Sequence, residues 1–142
     1  LGDFVTGVRQ VALGPAEIVV ALHLPPHTGR SAFVKLGARK YLVISIAMVA
    51  SHVELDGAGR IARVAIAVGS CAPVARRLPA LEAALVGTNV GDLPAAVRPD
   101  LVQGLAPIGD VRAEAEYRDA AVPVLVRRAL ARCVAKEQGA PR

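Results

Sequence analysis

The spacing of the apolar residues changes once along the chain, near Gly69, and this change restricts the fold more than any other feature. Before it, apolar residues alternate with period two, as in residues 64–68 (VAIAV), which is the spacing of a strand that buries one face. After it, they recur at spacings of three and four, as in residues 78–85 (LPALEAAL), which is typical of a helical stripe. Strands followed by helices, without strict alternation, predict an α+β fold. We expect an antiparallel sheet of three or four strands followed by a group of about three helices.

Four stretches are predicted as strands. Residues 17–24 (EIVVALHL) are bounded by Gly-Pro before and Pro-Pro after, and residues 31–36 (SAFVKL) alternate weakly. Residues 41–55 lead into an Asp-Gly-Ala-Gly turn, whose glycines tolerate positive φ, and the return strand covers residues 60–68. Periodicity alone leaves open that residues 41–51 begin as a buried helix.

Three helices are predicted after the sheet. The first begins at Pro79, where the missing N–H costs nothing, and Gly87 is its expected C-terminal cap. The second has Val97, Leu101 and Leu105 on one face, with Asp92 as a candidate N-cap and Pro99 expected to disturb it. The third, residues 116–136, places apolar residues on one side and arginines on the other. Arginines opposite an apolar stripe predict a solvated face.

Composition excludes several classes of protein. The chain has 142 residues, enough for one domain, and 54% of them are hydrophobic, which excludes intrinsic disorder. Aromatic residues are only 3%, so few rings could stack on bases, and the net charge of +5 is scattered rather than concentrated in a stripe. The longest apolar run is shorter than the roughly 20 residues of a transmembrane helix. We therefore expect neither a nucleic-acid nor a membrane partner.

The two cysteines, Cys71 and Cys133, are too few and too far apart for a disulfide framework or a metal knuckle. They are expected to be reduced and buried, which favours a cytoplasmic protein. His23 and His27 are separated by two prolines, which forbid the helix that would bring both imidazoles to one metal ion. His52 stands alone and is expected to be a hydrogen-bonded structural residue.

No motif for catalysis is found in the sequence: it has no glycine-rich phosphate loop, no Gly-x-Ser-x-Gly and no His-Glu-x-x-His. The carboxylates of Asp110, Glu114 and Glu116 are mixed with Arg112 and Arg118, which indicates charge pairing near a helix start. We therefore predict no catalytic residue and no metal site in this chain.

Lys35 is the one polar residue set inside an apolar strand. A lysine in such a position either extends its ammonium to solvent or meets an anionic or electron-rich ligand at the sheet. The residues alone leave both alternatives open.

Several segments in order resemble the FAD-binding (medium) subunit of molybdenum hydroxylases, the family of carbon monoxide dehydrogenases and xanthine dehydrogenases. They are residues 3–25 (DFVTGVRQVALGPAEIVVALHLP), 32–40 (AFVKLGARK), the hairpin turn, 64–87 (VAIAVGSCAPVARRLPALEAALVG) and 110–130 (DVRAEAEYRDAAVPVLVRRAL). The resemblance implies that residues 1–28 are the end of the FAD-binding domain and that residues 29–142 are the C-terminal domain. The glycine-rich segments that hold the FAD pyrophosphate in this family match no part of the sequence.

The resemblance also implies a role for individual residues. Lys35 matches a lysine near the flavin ring, Val19 an apolar residue beside the ring, and Leu36 a neighbour of the ring. A lysine ammonium there would favour negative charge on the reduced flavin. Tyr117 and Arg118 match a pair with a structural or docking role.

The resemblance implies that FAD is shared with an N-terminal FAD-binding half, and that the partners are an iron–sulfur subunit with [2Fe–2S] clusters and a subunit with the molybdenum cofactor. Two functions follow. In the first, the chain covers the flavin ring of an electron-transferring oxidoreductase. In the alternative, it is a non-catalytic module that joins subunits and binds no flavin of its own.

Overall fold

The computed structural model describes residues 2–135, which form a four-stranded antiparallel sheet, a separate two-stranded ladder and three α-helices. The strands are β1 (Val5–Gly7), β2 (Gln10–Val11), β3 (Arg30–Leu36), β4 (Ala47–Leu55), β5 (Ile61–Gly69) and β6 (Arg76–Arg77). The helices are α1 (Pro79–Leu85), α2 (Leu93–Ala96) and α3 (Ala115–Val134), with 3₁₀ turns at Val90–Asp92 and Pro99–Leu101. The order in the larger sheet is β3-β4-β5-β6. The predicted α+β fold is confirmed.

Strands β4 and β5 form the hairpin that the glycine-containing turn predicted. The Asp56 carboxylate accepts hydrogen bonds from the amides of Ala58 and Arg60, at 2.9 and 2.8 Å, and Gly59 has a φ of +76°. The alternative of a helix over residues 41–51 is wrong, because β4 starts at Ala47 and the residues before it form an irregular loop.

Helix α3 covers one face of the sheet and encloses the main core. Every second residue of the strands faces it, and the fully buried apolar residues include Val49, Ile66 and Val68 from the sheet and Val126 and Leu130 from the helix. Burial of each such side chain contributes about 1.5–3 kcal/mol to the folding free energy, and this burial is the main stabilisation of the domain. The helix continues through its internal proline, which is itself buried, so packing outweighs the lost backbone hydrogen bond.

Both cysteines are free and buried, as predicted. Cys133 faces Ser51 of β4, with 3.1 Å between the thiol sulfur and the hydroxyl oxygen. Burial raises the pKa of both the Cys71 and the Cys133 thiols, so each stays protonated at neutral pH.

The short helices follow the prediction in part. Helix α1 begins at Pro79, and Gly87 follows its end with a φ of +82°, both as expected. A helix follows Asp92, but the predicted stripe of Val97, Leu101 and Leu105 is not helical throughout, because α2 ends at Ala96 and a 3₁₀ turn begins at Pro99, the residue expected to disturb the helix. Asp92 precedes α2, but its carboxylate makes no capping hydrogen bond.

Part of the basic stretch on α3 serves to hold other elements. Arg127 donates hydrogen bonds to the carbonyls of Pro94 and Val97, at 3.0 and 2.6 Å, and so caps the end of α2. Arg132 donates to the carbonyl of Phe33 at 3.3 Å. The expected solvated face is therefore wrong for Arg127, which is half-buried, whereas Arg132 is exposed as expected; Lys136, the last residue of the predicted helix, lies outside the described residues.

The predicted strand over residues 17–24 is wrong within the described part of the chain. These residues have no assigned secondary structure, are exposed, and pair with no strand between residues 2 and 135. The ladder of β1 with β2 and the two-residue strand β6 were not predicted, because such short strands carry no periodicity. No helix within residues 2–135 is both long and apolar enough to cross a bilayer.

Candidate functional site

The four-stranded sheet has a second face, opposite α3, that none of the described elements covers as α3 covers the first. Strand register places its side chains in cross-strand rows, for example Phe33 beside Ala50, Ala67 and Arg77. We call this surface the open face; it comprises Ser31, Phe33, Lys35, Met48, Ala50, His52, Ala65, Ala67 and Arg77. Most of these residues are exposed or half-buried.

A shallow groove of about 550 Å³ lies on the open face. Its lining includes Ala50, Ala65 and Ala67, with Phe33 and Arg77 from the strands on either side. Phe33 is 55% exposed, although phenylalanine side chains are usually buried. Because alanine side chains project little from the strands, the middle of the groove is flat and apolar and could accept a planar group.

His52, at one end of the open face, is held by hydrogen bonds. Its ring nitrogens lie 2.9 Å from the Ser31 hydroxyl and 3.3 Å from the Glu54 carboxylate, and the edge of the His27 ring approaches it with centroids 4.8 Å apart. The hydrogen bond from His52 is the main cause that lowers the pKa of Glu54. His52 is thus the structural residue that the sequence predicted. Among residues 2–135, no group of three or more metal-ligating side chains occurs.

At the far edge, Arg77 is held by a carboxylate. Its Nε and Nη2 each donate to Glu82 at 2.6 Å, and the same carboxylate accepts the amide of Ile66 at 2.9 Å. Burial raises the pKa of Glu82, but these hydrogen bonds outweigh it, and the pKa lies below its ordinary value. The charge of Arg77 is therefore compensated, and the pair joins α1 to the edge of the sheet.

Lys35 lies on the open face at the end of β3, and its side chain is exposed. Its Nζ donates a 2.6 Å hydrogen bond to the carbonyl of Val43, in the loop of residues 37–46. Leu36, the next residue, is half-buried against the core, and its carbonyl accepts the amide of Ile46 at 2.8 Å. Two strand residues thus hold the base of this loop, whose apolar tip includes the exposed Leu42.

The third predicted site residue, Val19, lies on a different element. It belongs to residues 17–24, which form no strand or helix, whereas Lys35 and Leu36 are adjacent on β3. Lys35 faces the open side of the sheet and Leu36 faces the core, so the structure brings none of the three predicted residues together on one surface, and Val19 lies outside the sheet.

Arg118 is a buried anchor at one end of the sheet. It is 3% exposed, and its guanidinium donates to the carbonyl of Ile46, to the carbonyl of Ser70 at 3.2 Å and to the Asp110 carboxylate at 2.7 Å. The backbone amide of Arg112 is the main cause that lowers the pKa of Asp110 to about 2, and the guanidiniums of Arg112 and Arg118 act in the same direction. The structural role implied for Arg118 is confirmed, whereas Tyr117 beside it is exposed.

In the sequence, Arg118 is one of several charged residues near the start of a predicted helix. Its burial depends on the carbonyls of two loops, 72 and 48 residues away. A helical position on the apolar stripe next to Val122 was the one available signal.

Fold and surface together describe an α+β domain with one helix-covered and one open sheet face. A family model described as the CO dehydrogenase flavoprotein C-terminal domain matches residues 32–133. The chain belongs to this family.

Relatives agree with this assignment. The xanthine dehydrogenase FAD-binding subunit of Escherichia coli O157:H7 is 31% identical over 98% of the chain and 49% of the relative. The 6-hydroxypseudooxynicotine dehydrogenase complex subunit alpha of Paenarthrobacter nicotinovorans is 32% identical over 84% of the chain and 41% of the relative. The chain thus spans about half the length of the curated relatives that it matches.

Solved structures have the same fold. CO dehydrogenase from Oligotropha carboxidovorans superposes with a TM-score of 0.79 at 29% identity, over 93% of the chain and 46% of the matched chain. Quinoline 2-oxidoreductase from Pseudomonas putida 86 superposes with a TM-score of 0.81 over the same shares, but at 22% identity this likeness concerns the fold alone.

Proposed function

We propose that this chain forms the part of a flavin subunit that covers the flavin ring in a cytoplasmic molybdenum-containing oxidoreductase. The observation that carries the proposal is the open face with Lys35 at its end, in a chain that belongs to a flavoprotein C-terminal domain family. In this proposal residues 1–28 belong to the FAD-binding domain and residues 29–142 to the C-terminal domain. FAD, when bound, supplies a centre that accepts electrons and passes them on.

The residues present fit a flavin ring in their chemistry. A flavin is a planar apolar ring system with carbonyl and nitrogen acceptors along one edge, so it needs a flat surface and nearby donors. The alanines in the groove supply a flat apolar surface. The Lys35 ammonium has three donors, of which the Val43 carbonyl uses one, and Lys35 lies on the same face of β3, two residues from Phe33 of the groove lining. Arg77, the other cation of the open face, donates two hydrogen bonds to the Glu82 carboxylate, so its charge is already compensated and is less able to stabilise a reduced flavin.

Lys35 is proposed to tune the flavin rather than to react. A fixed ammonium favours negative charge on a neighbouring acceptor and disfavours its loss, so it would make the flavin easier to reduce. The hydrogen bond to Val43 holds the ammonium at the end of the strand rather than free in solvent. Val19 is proposed as an apolar neighbour of the ring, and Leu36, which packs against the core on the other side of β3, is proposed to support the strand beneath the ring.

The partners belong to the same proposal. An N-terminal FAD-binding half would hold the rest of the cofactor, and iron–sulfur and molybdenum subunits would deliver the electrons. The chain matches about half the length of two relatives, one named as an FAD-binding subunit and the other as a subunit of a dehydrogenase complex. This similarity supports a role within a larger assembly.

The test compares two lysine variants of the assembly purified from its source. Lys35→Met removes the ammonium on the open face, and Lys40→Met makes the same chemical change on the neighbouring loop, where the ammonium lies 5.0 Å from the Tyr41 ring. We expect Lys35→Met to shift the flavin absorbance spectrum and to lower its two-electron reduction potential by about 30 mV, which corresponds to about 1.4 kcal/mol. Lys40→Met should leave both unchanged.

The outcome also separates the alternative function. If Lys35→Met leaves the spectrum and the potential unchanged, Lys35 does not tune a flavin. If the purified assembly contains no flavin at all, the chain is a subunit-joining module and the flavin proposal is wrong.

A further inference from the structure

The hydrogen bonds that hold His52 also give it the arrangement of a general base. The Ser31 hydroxyl oxygen lies 2.9 Å from Nδ1 of His52, and Nε2 of the same ring lies 3.3 Å from the Glu54 carboxylate. A nucleophilic serine is activated by a base within hydrogen-bond reach that a third group orients. Ser31, His52 and Glu54 therefore have the connectivity of a nucleophile, its base and the group that holds the base.

The Glu54 carboxylate decides which nitrogen of the His52 ring carries the proton. An ionised carboxylate only accepts hydrogen bonds, so Nε2 must donate to it, and in the neutral ring this leaves the lone pair on Nδ1, which faces Ser31. The hydrogen bond from His52 is the main cause that lowers the pKa of Glu54, and the Arg63 guanidinium, 3.2 Å away, acts in the same direction. The surroundings thus favour the tautomer that can accept the Ser31 proton.

The backbone beside Ser31 supplies a donor for developing negative charge. Strand β3 is at the edge of the sheet, and the Phe33 carbonyl accepts a hydrogen bond from Arg132 of α3, so it points away from β4. The N–H and C=O of one residue in an antiparallel strand point to the same side, and so do those of the residue two positions away. The Ser31 amide therefore faces an edge that no strand within residues 2–135 covers, where it can stabilise an oxyanion formed on its own side chain.

The surface around Ser31 is open to a small apolar molecule. Ser31 is exposed and lines the groove of about 550 Å³, together with Phe33 and the alanines of β4 and β5. Such a mainly apolar lining suits an acyl or aryl group. Lys35 lies four residues further along the same face of β3, about 13 Å from Ser31, so a flavin beside Lys35 and a small molecule at Ser31 would lie at opposite ends of the open face.

From these observations we propose that Ser31 is a nucleophile that hydrolyses small apolar carboxylic esters, with His52 as its general base and Glu54 as the residue that positions His52. The Ser31 oxygen bonds to the ester carbonyl carbon while its proton passes to Nδ1 of His52. The bond from that carbon to the leaving oxygen then breaks, and the alcohol leaves with the proton from His52. Water, deprotonated by His52, next attacks the acyl-serine and releases the carboxylic acid, so one ester and one water give one acid and one alcohol. This reaction needs no bound flavin.

Labelling with diisopropyl fluorophosphate tests the nucleophile in the assembly purified from its source. The Ser31 oxygen bonds to phosphorus, the phosphorus–fluorine bond breaks and fluoride leaves, while the proton passes to His52. Mass spectrometry after digestion locates the labelled residue. We expect Ser31 to be labelled and Ser45, whose hydroxyl donates to the Met48 sulfur at 3.7 Å, to remain unlabelled. An unlabelled Ser31, or equal labelling of the two serines, would overturn the proposal.

Two histidine variants separate the base from a residue that only supports the strand. Rates are measured by labelling and by p-nitrophenyl acetate hydrolysis, after subtraction of the rate of Ser31→Ala. His52→Gln should slow both by about 100-fold or more, the usual contribution of a general base. His27→Gln is the matched control, because its ring packs edge-on against His52 but its Nδ1 faces the Pro25 carbonyl, so it should react at the wild-type rate. An unchanged rate in His52→Gln, or equal losses in both variants, would refute the role of His52.

Glu54→Gln tests the orientation of the ring. A glutamine can turn its NH₂ group towards Nε2, which would move the ring proton to Nδ1 and remove the acceptor that faces Ser31. The value of kcat for p-nitrophenyl acetate should therefore fall while KM stays unchanged, since the change affects proton transfer and not the groove. Arg63→Met removes the other partner of Glu54, on a side chain that is 77% exposed, and should keep the wild-type kcat. An unchanged kcat or a raised KM in Glu54→Gln would contradict its positioning role.

Discussion

Removing the Arg118 guanidinium should destabilise the domain more than removing any other charged group described above. Arg118→Met keeps most of the apolar stem but leaves the carbonyls of Ile46 and Ser70 and the Asp110 carboxylate without this donor. Breaking a buried ion pair by removing one partner costs about 3–5 kcal/mol. At about 3–4 °C per kcal/mol for a domain of this size, the unfolding temperature should fall by roughly 10–20 °C.

The matched control is Arg112→Met. Arg112 also pairs with Asp110, at 2.6 Å, but its side chain is 38% exposed, so its ion pair should contribute less than about 1 kcal/mol. The measurement is urea unfolding followed by circular dichroism, which gives the free energy of unfolding for each variant.

Two further variants identify the interaction responsible. Arg118→Lys keeps the charge, but a lysine lacks the planar guanidinium whose several N–H groups reach all three acceptors. The loss of unfolding free energy should therefore lie between those of the wild type and Arg118→Met. Arg118→Met combined with Asp110→Asn should be less destabilised than the sum of the single variants, with a coupling of about 0.5–3 kcal/mol. If Arg118→Met and Arg112→Met lose equal stability, within 1 kcal/mol of the wild type, the anchor described for Arg118 is wrong.

Two more predictions concern acid stability and the core. Because the folded pKa of Asp110 is about 2, below its ordinary 3.8, its contribution is fully present above about pH 4 and is lost as the pH falls towards 2. The difference in unfolding free energy between the wild type and Asp110→Asn should therefore shrink across this window, and a constant difference would contradict the assignment. Leu130→Ala should lose about 2–5 kcal/mol in urea unfolding, because Leu130 is fully buried. Leu42→Ala, the same change at a 92% exposed position, should lose less than about 0.5 kcal/mol, and similar losses for both would contradict the described core.

The hairpin and the last helix could be predicted from the sequence because their signals are local. The Asp56 turn and the alternation in β5 specify two adjacent strands with no information from elsewhere in the chain. The apolar stripe of α3 is long enough that its period is unambiguous, and the helix persists despite Pro123. Lys35 could be selected because a polar residue in an apolar strand is visible in the sequence.

The strand predicted over residues 17–24 and the helix predicted from the stripe of Val97, Leu101 and Leu105 both depend on more than the apolar pattern. Periodicity records which side chains suit an element, but a strand also requires a neighbouring strand. A helix that contains a proline also requires packing that offsets the lost backbone hydrogen bond, as the buried Pro123 has in α3 and the exposed Pro99 does not. The first segment has no neighbour among the described residues, and Pro99 begins a 3₁₀ turn in the second.

Local sequence thus accounts for the α+β class, the central hairpin, the start of α1 and most of α3, because each depends on contacts within a few residues. Tertiary structure alone decided that Arg118 is a buried anchor, that Arg127 caps α2, and that Lys35 lies at the border of an open sheet face. Each of these depends on groups that are distant in sequence: Arg118 meets Ile46 across 72 residues, and Arg127 meets Val97 across 30. A charged side chain has the same appearance in the sequence whether its partner is water or a distant carbonyl, and only the folded chain distinguishes the two.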